Sequence, residues 1–151
     1  MTELKIRRVV PSDLNPILQI ERDTFKSDAF SKRTFVRFFK ENNNLFVVAI
    51  MDRKIIGYMI TNRLPDRGYI ASIAVDSTYR RKGVGRALTN FTFKELIKDK
   101  LKAVELDVKV TNKEGIHFWK NLGFFSIMLI PCFYSDGKDA IKMRKTLRND
   151  E

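Results

Sequence analysis

Arg80-Arg-Lys-Gly-Val-Gly-Arg86 follows a strand-like run, residues 69–75, and precedes a run whose apolar residues recur at helical spacing. Gly83 and Gly85 let the backbone approach a ligand closely, because they carry no Cβ. The first amides of a helix have no partner inside it, and the helix dipole favours negative charge at that end. The stretch therefore predicts a strand, a basic turn and a helix start that suit a bound phosphate. The alternative is a tight turn whose cations are simply solvated.

Hydrophobic periodicity along the whole chain predicts a mixed α/β fold in the order strand, two helices, a strand meander, helix, strand, helix and two strands. The predicted strands are 4–10, 45–51, 54–64, 69–75, 103–110, 124–132 and 140–147. The expected helix caps are Ser12 or Asp13, Ser31, and Thr111 in a capping box with Glu114. We expect a mostly antiparallel central sheet, one parallel crossover beside the basic turn and about four flanking helices.

The composition fits one globular domain spanning residues 1–151 and limits its partners. The 29 basic and 18 acidic residues give a net charge of +11, which favours a polyphosphate cofactor, nucleic acid or an acidic surface as partner. Cys132 and His117 are the only cysteine and histidine, so we expect no disulfide, no zinc site and a reducing cytoplasm. The apolar runs are too short to span a bilayer as helices, and residues 1–5 lack a signal-peptide core.

Two blocks of the sequence resemble the GNAT superfamily of acetyl-coenzyme A (acetyl-CoA) dependent N-acetyltransferases. Arg80, Gly83 and Gly85 match its Gln/Arg-x-x-Gly-x-Gly/Ala signature, directly after a strand. The segments 106–112 and 118–124 are similar to its Leu-x-Val-x-x-x-Asn segment and to its aromatic pair before Leu-Gly-Phe. The resemblance implies a GNAT-like fold and acetyl transfer from acetyl-CoA to an amine.

A third block narrows the acceptor. Phe133-Tyr-Ser-Asp-Gly-Lys-Asp-Ala140 with Met143 resembles the Tyr-Tyr-x-Asp-Gly-x-Asp-Ala-x-x-Met block of RimI-type and related protein N-terminal acetyltransferases. The resemblance implies that the acceptor is the α-amino group of a protein or peptide, including ribosomal or nascent chains. It requires neither a membrane nor nucleic acid as partner.

The resemblance also implies a coenzyme A site. Backbone groups of a strand end would bind the pantetheine arm, and the amides of the basic turn would hold the pyrophosphate. The expected contacts are Ile73, Ala74, Val75, Arg80, Arg81, Lys82, Gly83, Val84, Gly85, Arg86 and Asn112. Asn112 could instead serve only as part of a helix start.

The catalytic and acceptor residues follow from the same resemblance and from elementary acid–base chemistry. We expect Tyr69 and Asp107 to share a water-mediated base site, because a carboxylate accepts protons at pH 7 and a phenol can relay them. The alternative is a solvated Asp107 and a Tyr69 that only lines the pocket. Phe25, Phe30 and Tyr134 are the expected contacts of the acceptor peptide.

Two residues depart from the family pattern. Trp119 stands where many members carry a tyrosine proposed to protonate the leaving thiolate, and an indole does not usefully titrate. Phe133 replaces the first tyrosine of the third block. Two alternatives stay open. One is an acetyltransferase acting on lysine side chains or small polyamines. The other, suggested by these departures and by the net charge of +11, is a non-catalytic nucleic-acid or ribosome-binding module with this fold.

Overall fold

A computed structural model describes residues 3–148 as seven strands and four α-helices. The strands are β1 (Lys5–Arg8), β2 (Asn44–Met51), β3 (Lys54–Arg63), β4 (Gly68–Val75), β5 (Ala103–Lys109), β6 (Phe125–Ile130) and β7 (Ala140–Thr146). The helices are α1 (Leu14–Phe25), α2 (Lys32–Lys40), α3 (Val84–Lys98) and α4 (Lys113–Asn121).

All seven strands form one sheet in the order β1-β2-β3-β4-β5-β7-β6. Every neighbouring pair is antiparallel except β4 and β5, which are parallel and are connected through α3. Asp52 and Arg53 close the β2–β3 hairpin with positive φ angles of 55° and 64°, the conformation that a tight two-residue hairpin turn requires. The mixed α/β architecture with its single parallel crossover is confirmed.

The join between β4 and β5 is short. Only Gly68 with Val104 and Tyr69 with Glu105 are paired, and the two strands diverge beyond these residues. We call the space between the diverging parts the β4–β5 gap. The gap opens toward the C-terminal end of β4, directly before the basic turn and α3.

Each face of the sheet has its own buried core. The face under α3 and α4 is apolar and includes Met59, Leu88, Leu96, Leu106 and Trp119. The opposite face, under α1 and α2, packs Ile17, Phe35, Phe38, Val48 and Tyr58. The two cores hold the helices against the sheet, because burying apolar side chains is the main favourable term in folding.

The observed helix caps agree with one of the sequence predictions and differ from others. Ser31 caps α2 as expected, since its hydroxyl accepts a hydrogen bond from the Thr34 amide. Thr111 does not cap α4; Asn112 does, through a 2.9 Å hydrogen bond from the Gly115 amide. Asp13 precedes α1, but its carboxylate accepts from the Val10 amide instead of a helix amide.

Strand β6 lies at the sheet edge and is mostly exposed along its length. Its side chains are uncharged, and Phe125, Met128 and Leu129 are more than half exposed at 51%, 56% and 56%. None of the helices within residues 3–148 has both the length and the hydropathy that crossing a membrane requires. Across the same residues, no three His, Cys, Asp or Glu side chains are grouped to hold a metal ion.

Candidate active site

The β4–β5 gap exposes backbone hydrogen-bonding groups of β4. Asp76 donates its amide to Ile56 of β3 at 2.7 Å, and Ala74 is paired with Tyr58. Because successive residues of a strand point their backbone groups to opposite sides, Ile73 and Val75 direct theirs toward the gap. Of the three predicted strand contacts, Ile73 and Val75 thus face the gap, and Ala74 faces β3.

The basic turn leads from this gap into α3. Arg80 Nε donates to the Val75 carbonyl oxygen at 3.1 Å, so its guanidinium lies beside the gap. Gly83 has a φ of 81°, a left-handed conformation that glycine adopts without strain, and a Cβ there would meet nothing within 4 Å. Within residues 3–148, the N–H groups of Arg81, Lys82 and Gly83 donate no hydrogen bond. The turn therefore has the unpaired amides that a pyrophosphate needs.

The remaining amides of the predicted cradle belong to the first turn of α3, at Val84, Gly85 and Arg86. Gly85 is packed closely, since a Cβ at this position would lie 3.2 Å from the Phe118 ring of α4. This contact fixes the start of α3 against α4. The amides from Arg81 to Arg86 thus suit a phosphate site, and the contacts of residues 80–86 with coenzyme A remain predictions.

Two further residues named from the sequence belong to α4 and its N-cap. The side-chain oxygen of Asn112 is used in capping the helix, and its contact with a cofactor remains a prediction. Trp119 is 5% exposed and packs edge-on against Phe118 and Phe124 in the apolar core. The indole is thus a core side chain.

Tyr69 and Asp107 meet on the opposite face of the sheet, where β4 and β5 begin to diverge. The Tyr69 hydroxyl donates a short hydrogen bond to Asp107 Oδ2. Lys142 Nζ lies 3.3 Å from Asp107 Oδ1 and 5.4 Å from the centre of the Tyr69 ring. The Asp107 side chain is only 7% exposed, and its Oδ1 accepts no hydrogen bond within the described residues. One carboxylate oxygen is therefore held by Tyr69, and the other is paired with the Lys142 ammonium.

The environment determines which member of the pair can act as a base. Burial raises the pKa of Tyr69 well above its ordinary value, and its hydrogen bond to Asp107 raises it further. The phenol is therefore protonated at neutral pH and acts as a hydrogen-bond donor to Asp107. Asp107 is the acceptor that remains.

Two loops form walls beside this pair: the α1–α2 loop, residues 26–30, and the β6–β7 loop, residues 131–139. We call the space between them the acceptor cleft, because the acceptor peptide is expected to bind there. Phe30 is 39% exposed and stacks edge-on with Phe35 and Phe38. Tyr134 is half-buried; burial and then the charges of Asp107 and Asp28 raise its pKa to about 12. Phe25 is partly buried at the end of α1.

A buried carboxylate that the sequence interpretation missed anchors the α1–α2 loop. Glu21 is 1% exposed and accepts hydrogen bonds from the Tyr58 hydroxyl, from Ser72 Oγ at 2.9 Å and from the Phe30 amide at 2.9 Å. These donors stabilise a charge that would otherwise be costly to bury. The sequence indicates this burial only through spacing, since Glu21 lies four residues from both Ile17 and Phe25 on the apolar face of α1.

A second missed residue, Lys109, lies at the end of β5, on the same face as Asp107. Its ammonium is 2.7 Å from an oxygen of Asp28 and 2.7 Å from an oxygen of Asp136. It also lies 5.1 Å from the centre of the Tyr134 ring. The only sequence signal was a lysine on the polar side of β5, a pattern that is also typical of solvent exposure.

Residues 14–124 match the model of the Acetyltransferase (GNAT) family. The chain belongs to this family. It is therefore an acyltransferase enzyme, and acetyl-CoA, the acetyl donor of GNAT acetyltransferases, is its co-substrate. This finding goes against the non-catalytic nucleic-acid module left open from the sequence.

Three similar proteins cover almost the whole chain. An N-alpha-acetyltransferase of Sulfurisphaera tokodaii is 32% identical over 159 residues, which cover 96% of this chain and 94% of that protein. The structure of the Escherichia coli ribosomal-protein-S18-alanine N-acetyltransferase has a TM-score of 0.89 at 27% identity, covering 99% and 97% of the two chains. Ard1 from Thermoplasma volcanium has a TM-score of 0.90 at 25% identity, covering 97% and 99%.

Proposed function

We propose that this enzyme transfers the acetyl group of acetyl-CoA to the α-amino group of protein or peptide N-termini, by direct attack of the amine on the thioester. One observation carries the chemistry: the Tyr69–Asp107 pair lies where β4 and β5 diverge, between the β4–β5 gap and the acceptor cleft. Similarity to an N-alpha-acetyltransferase along 96% of the chain supports the α-amine as acceptor.

The donor is held mainly by main-chain groups. Acetyl-CoA supplies an activated thioester, whose leaving thiol has a pKa near that of cysteine, about 8.5. The amides of Ile73 and Val75, facing the gap, donate to the thioester carbonyl or to the pantetheine arm, and can stabilise negative charge that develops on that oxygen. The amides from Arg81 to Arg86 bind the pyrophosphate at the start of α3.

Asp107 accepts the proton that the attacking amine releases. Tyr69 holds one oxygen of its carboxylate and Lys142 pairs with the other, so the carboxylate is fixed in place and takes up the proton directly or through a water molecule. An α-amine has a pKa of about 8, against about 10.4 for a lysine side chain, so more of it is neutral at pH 7. An N-terminal acceptor therefore needs less help from a base than a lysine does.

Phe25, Phe30 and Tyr134 form the acceptor side of the site in this proposal, with the first residues of the peptide between the two loops. Ribosomal proteins and nascent chains are the acceptors we favour, since one similar enzyme is named for alanine of ribosomal protein S18. A cytoplasmic location and a single domain covering residues 1–151 remain predictions.

A peptide panel tests the proposal. Each sequence is made with a free and with a blocked N-terminus, with and without an internal lysine, and spermidine serves as the polyamine. We expect acetyl transfer only to free N-termini, located by mass spectrometry on the first residue. Turnover of blocked lysine peptides or spermidine in place of free N-termini would contradict the α-amine assignment.

A further inference from the structure

Lys109 connects the two loops that border the acceptor cleft. Its Nζ lies 2.7 Å from Asp28 Oδ2 in the α1–α2 loop and 2.7 Å from Asp136 Oδ2 in the β6–β7 loop. We propose that Lys109 is a positioning residue that sets the width of the acceptor cleft by pairing with both aspartates. This inference rests on the proposed function, since it assigns the cleft to the peptide.

The arrangement suits a lysine. An ammonium group has three donors on a flexible stem, so it can pair with two carboxylates and still lie near the Tyr134 ring. The side chains of Lys109 and Asp28 are only 21% and 20% exposed, whereas that of Asp136 is 44% exposed. Hydrogen bonds to Asp136 and Asp28 raise the pKa of Lys109, and the bond to Lys109 lowers the pKa of Asp136. Lys109 and Asp136 are therefore charged at neutral pH.

Each loop is also held by hydrogen bonds that do not involve the other loop. Glu21 holds the Phe30 amide, and in the β6–β7 loop the Gly137 amide donates to the Tyr134 carbonyl at 2.9 Å. These bonds fix the shape of each loop without connecting one to the other. Among the hydrogen bonds and ion pairs of residues 3–148, only those of Lys109 connect residues 26–30 to residues 131–139 through one side chain.

The position of Lys109 separates its role from catalysis. It lies two residues from Asp107 on the same side of β5, but Asp107 contacts Tyr69 and Lys142. Removing the lysine leaves two like charges facing each other, which favours separation of the loops. We therefore expect weaker peptide binding and an unchanged chemical step.

Steady-state kinetics with a free N-terminal peptide test this separation. We expect Lys109→Met to raise the peptide KM about tenfold, with kcat, its pH profile and the acetyl-CoA KM unchanged. Lys109→Arg keeps the charge and should stay within about threefold of wild type. Arg63→Met is the matched control, because it breaks a 2.6 Å ion pair with Asp99 outside the cleft. An unchanged peptide KM, or a fall in kcat alone, would overturn the proposal.

A gentler variant guards against a general loss of stability. Asp136→Asn removes one of the two ion pairs at the more exposed position, and should raise the peptide KM about threefold. Added to Lys109→Met, it should raise the peptide KM no further and should partly restore it, because it removes one of the two like charges left facing each other. Fully additive effects, or an equal rise in the acetyl-CoA KM, would contradict a joint role of Lys109 and Asp136 in holding the two loops.

Hydrogen exchange without substrates tests whether Lys109 holds the two loops, independently of the acceptor. The Phe30 and Gly137 amides should exchange faster in Lys109→Met than in wild type or Arg63→Met. If wild-type protein acetylates no N-terminal peptide, the proposed function fails, and this measurement still shows whether Lys109 holds the two loops. Equal exchange in all three proteins would overturn it.

Discussion

The two faces of the sheet bury different chemistry. The face under α3 and α4 is an apolar core in which even Trp119 serves as packing. The opposite face buries carboxylates: Glu21 at 1% and Glu105 at 5% exposure, and the side chain of Asp107 at 7%. Each is held by hydrogen-bond donors or cations, because an unpartnered buried charge is strongly unfavourable.

Because of this difference, we expect the two substrates to be bound by different kinds of groups. The donor is expected to bind through main-chain groups of β4 and the basic turn, whereas the acceptor cleft is lined and held by side chains. Substitutions on the acceptor face should therefore change the reaction directly. On the donor side, the backbone conformation should matter more than the identity of most side chains.

The strongest test of this contrast is Asp107→Asn. It removes the proposed proton acceptor and keeps the shape, so we expect kcat/KM to fall by about 10² to 10⁴. Tyr69→Phe should cost about tenfold, because the phenol, whose pKa is raised, only orients the carboxylate. Asp99→Asn at the surface is the control. Full kcat/KM across pH in both cleft variants would remove the pair from the mechanism.

A matched pair of glycine substitutions comes next in size. Gly83 and Gly137 both have left-handed φ angles, 81° and 84°, with open space where a Cβ would lie. Gly83→Ala should raise the acetyl-CoA KM about five- to tenfold and leave the peptide KM unchanged, since it strains the cradle. Gly137→Ala, in the β6–β7 loop, should raise the peptide KM and leave the acetyl-CoA KM unchanged. If both variants changed the same KM, the division between the two substrates would be wrong.

The smallest expected effect on turnover is that of Trp119→Phe. Because the indole is packed against Phe118 and Phe124, kcat should stay within about threefold of wild type. Urea unfolding should show a loss of about 1–3 kcal/mol, since the smaller ring leaves a cavity. A hundredfold fall in kcat without loss of stability would instead assign the indole to proton transfer or to acetyl-CoA binding.

Periodicity and turn chemistry were enough to predict the strands, the four helices and the basic turn, because these depend on local sequence. The cap of α4 was assigned one residue too early, at Thr111, because Asn112 has an equally suitable oxygen. Tyr69 and Asp107 were paired through family resemblance. Glu21 and Lys109 were missed, because their roles depend on partners distant in sequence, such as Ser72 and Asp136.

The short join between β4 and β5 also has a mechanical consequence. A sheet resists twisting between neighbouring strands through its ladder of main-chain hydrogen bonds, and here that ladder spans two residue pairs. The stiffness between β1–β4 and β5–β7 therefore depends on side chains packed across the join, including Met59 and Ile70 on one side and Leu106 and Met143 on the other. The same apolar core that takes no part in the proposed proton transfer thus sets the angle between the two parts of the sheet.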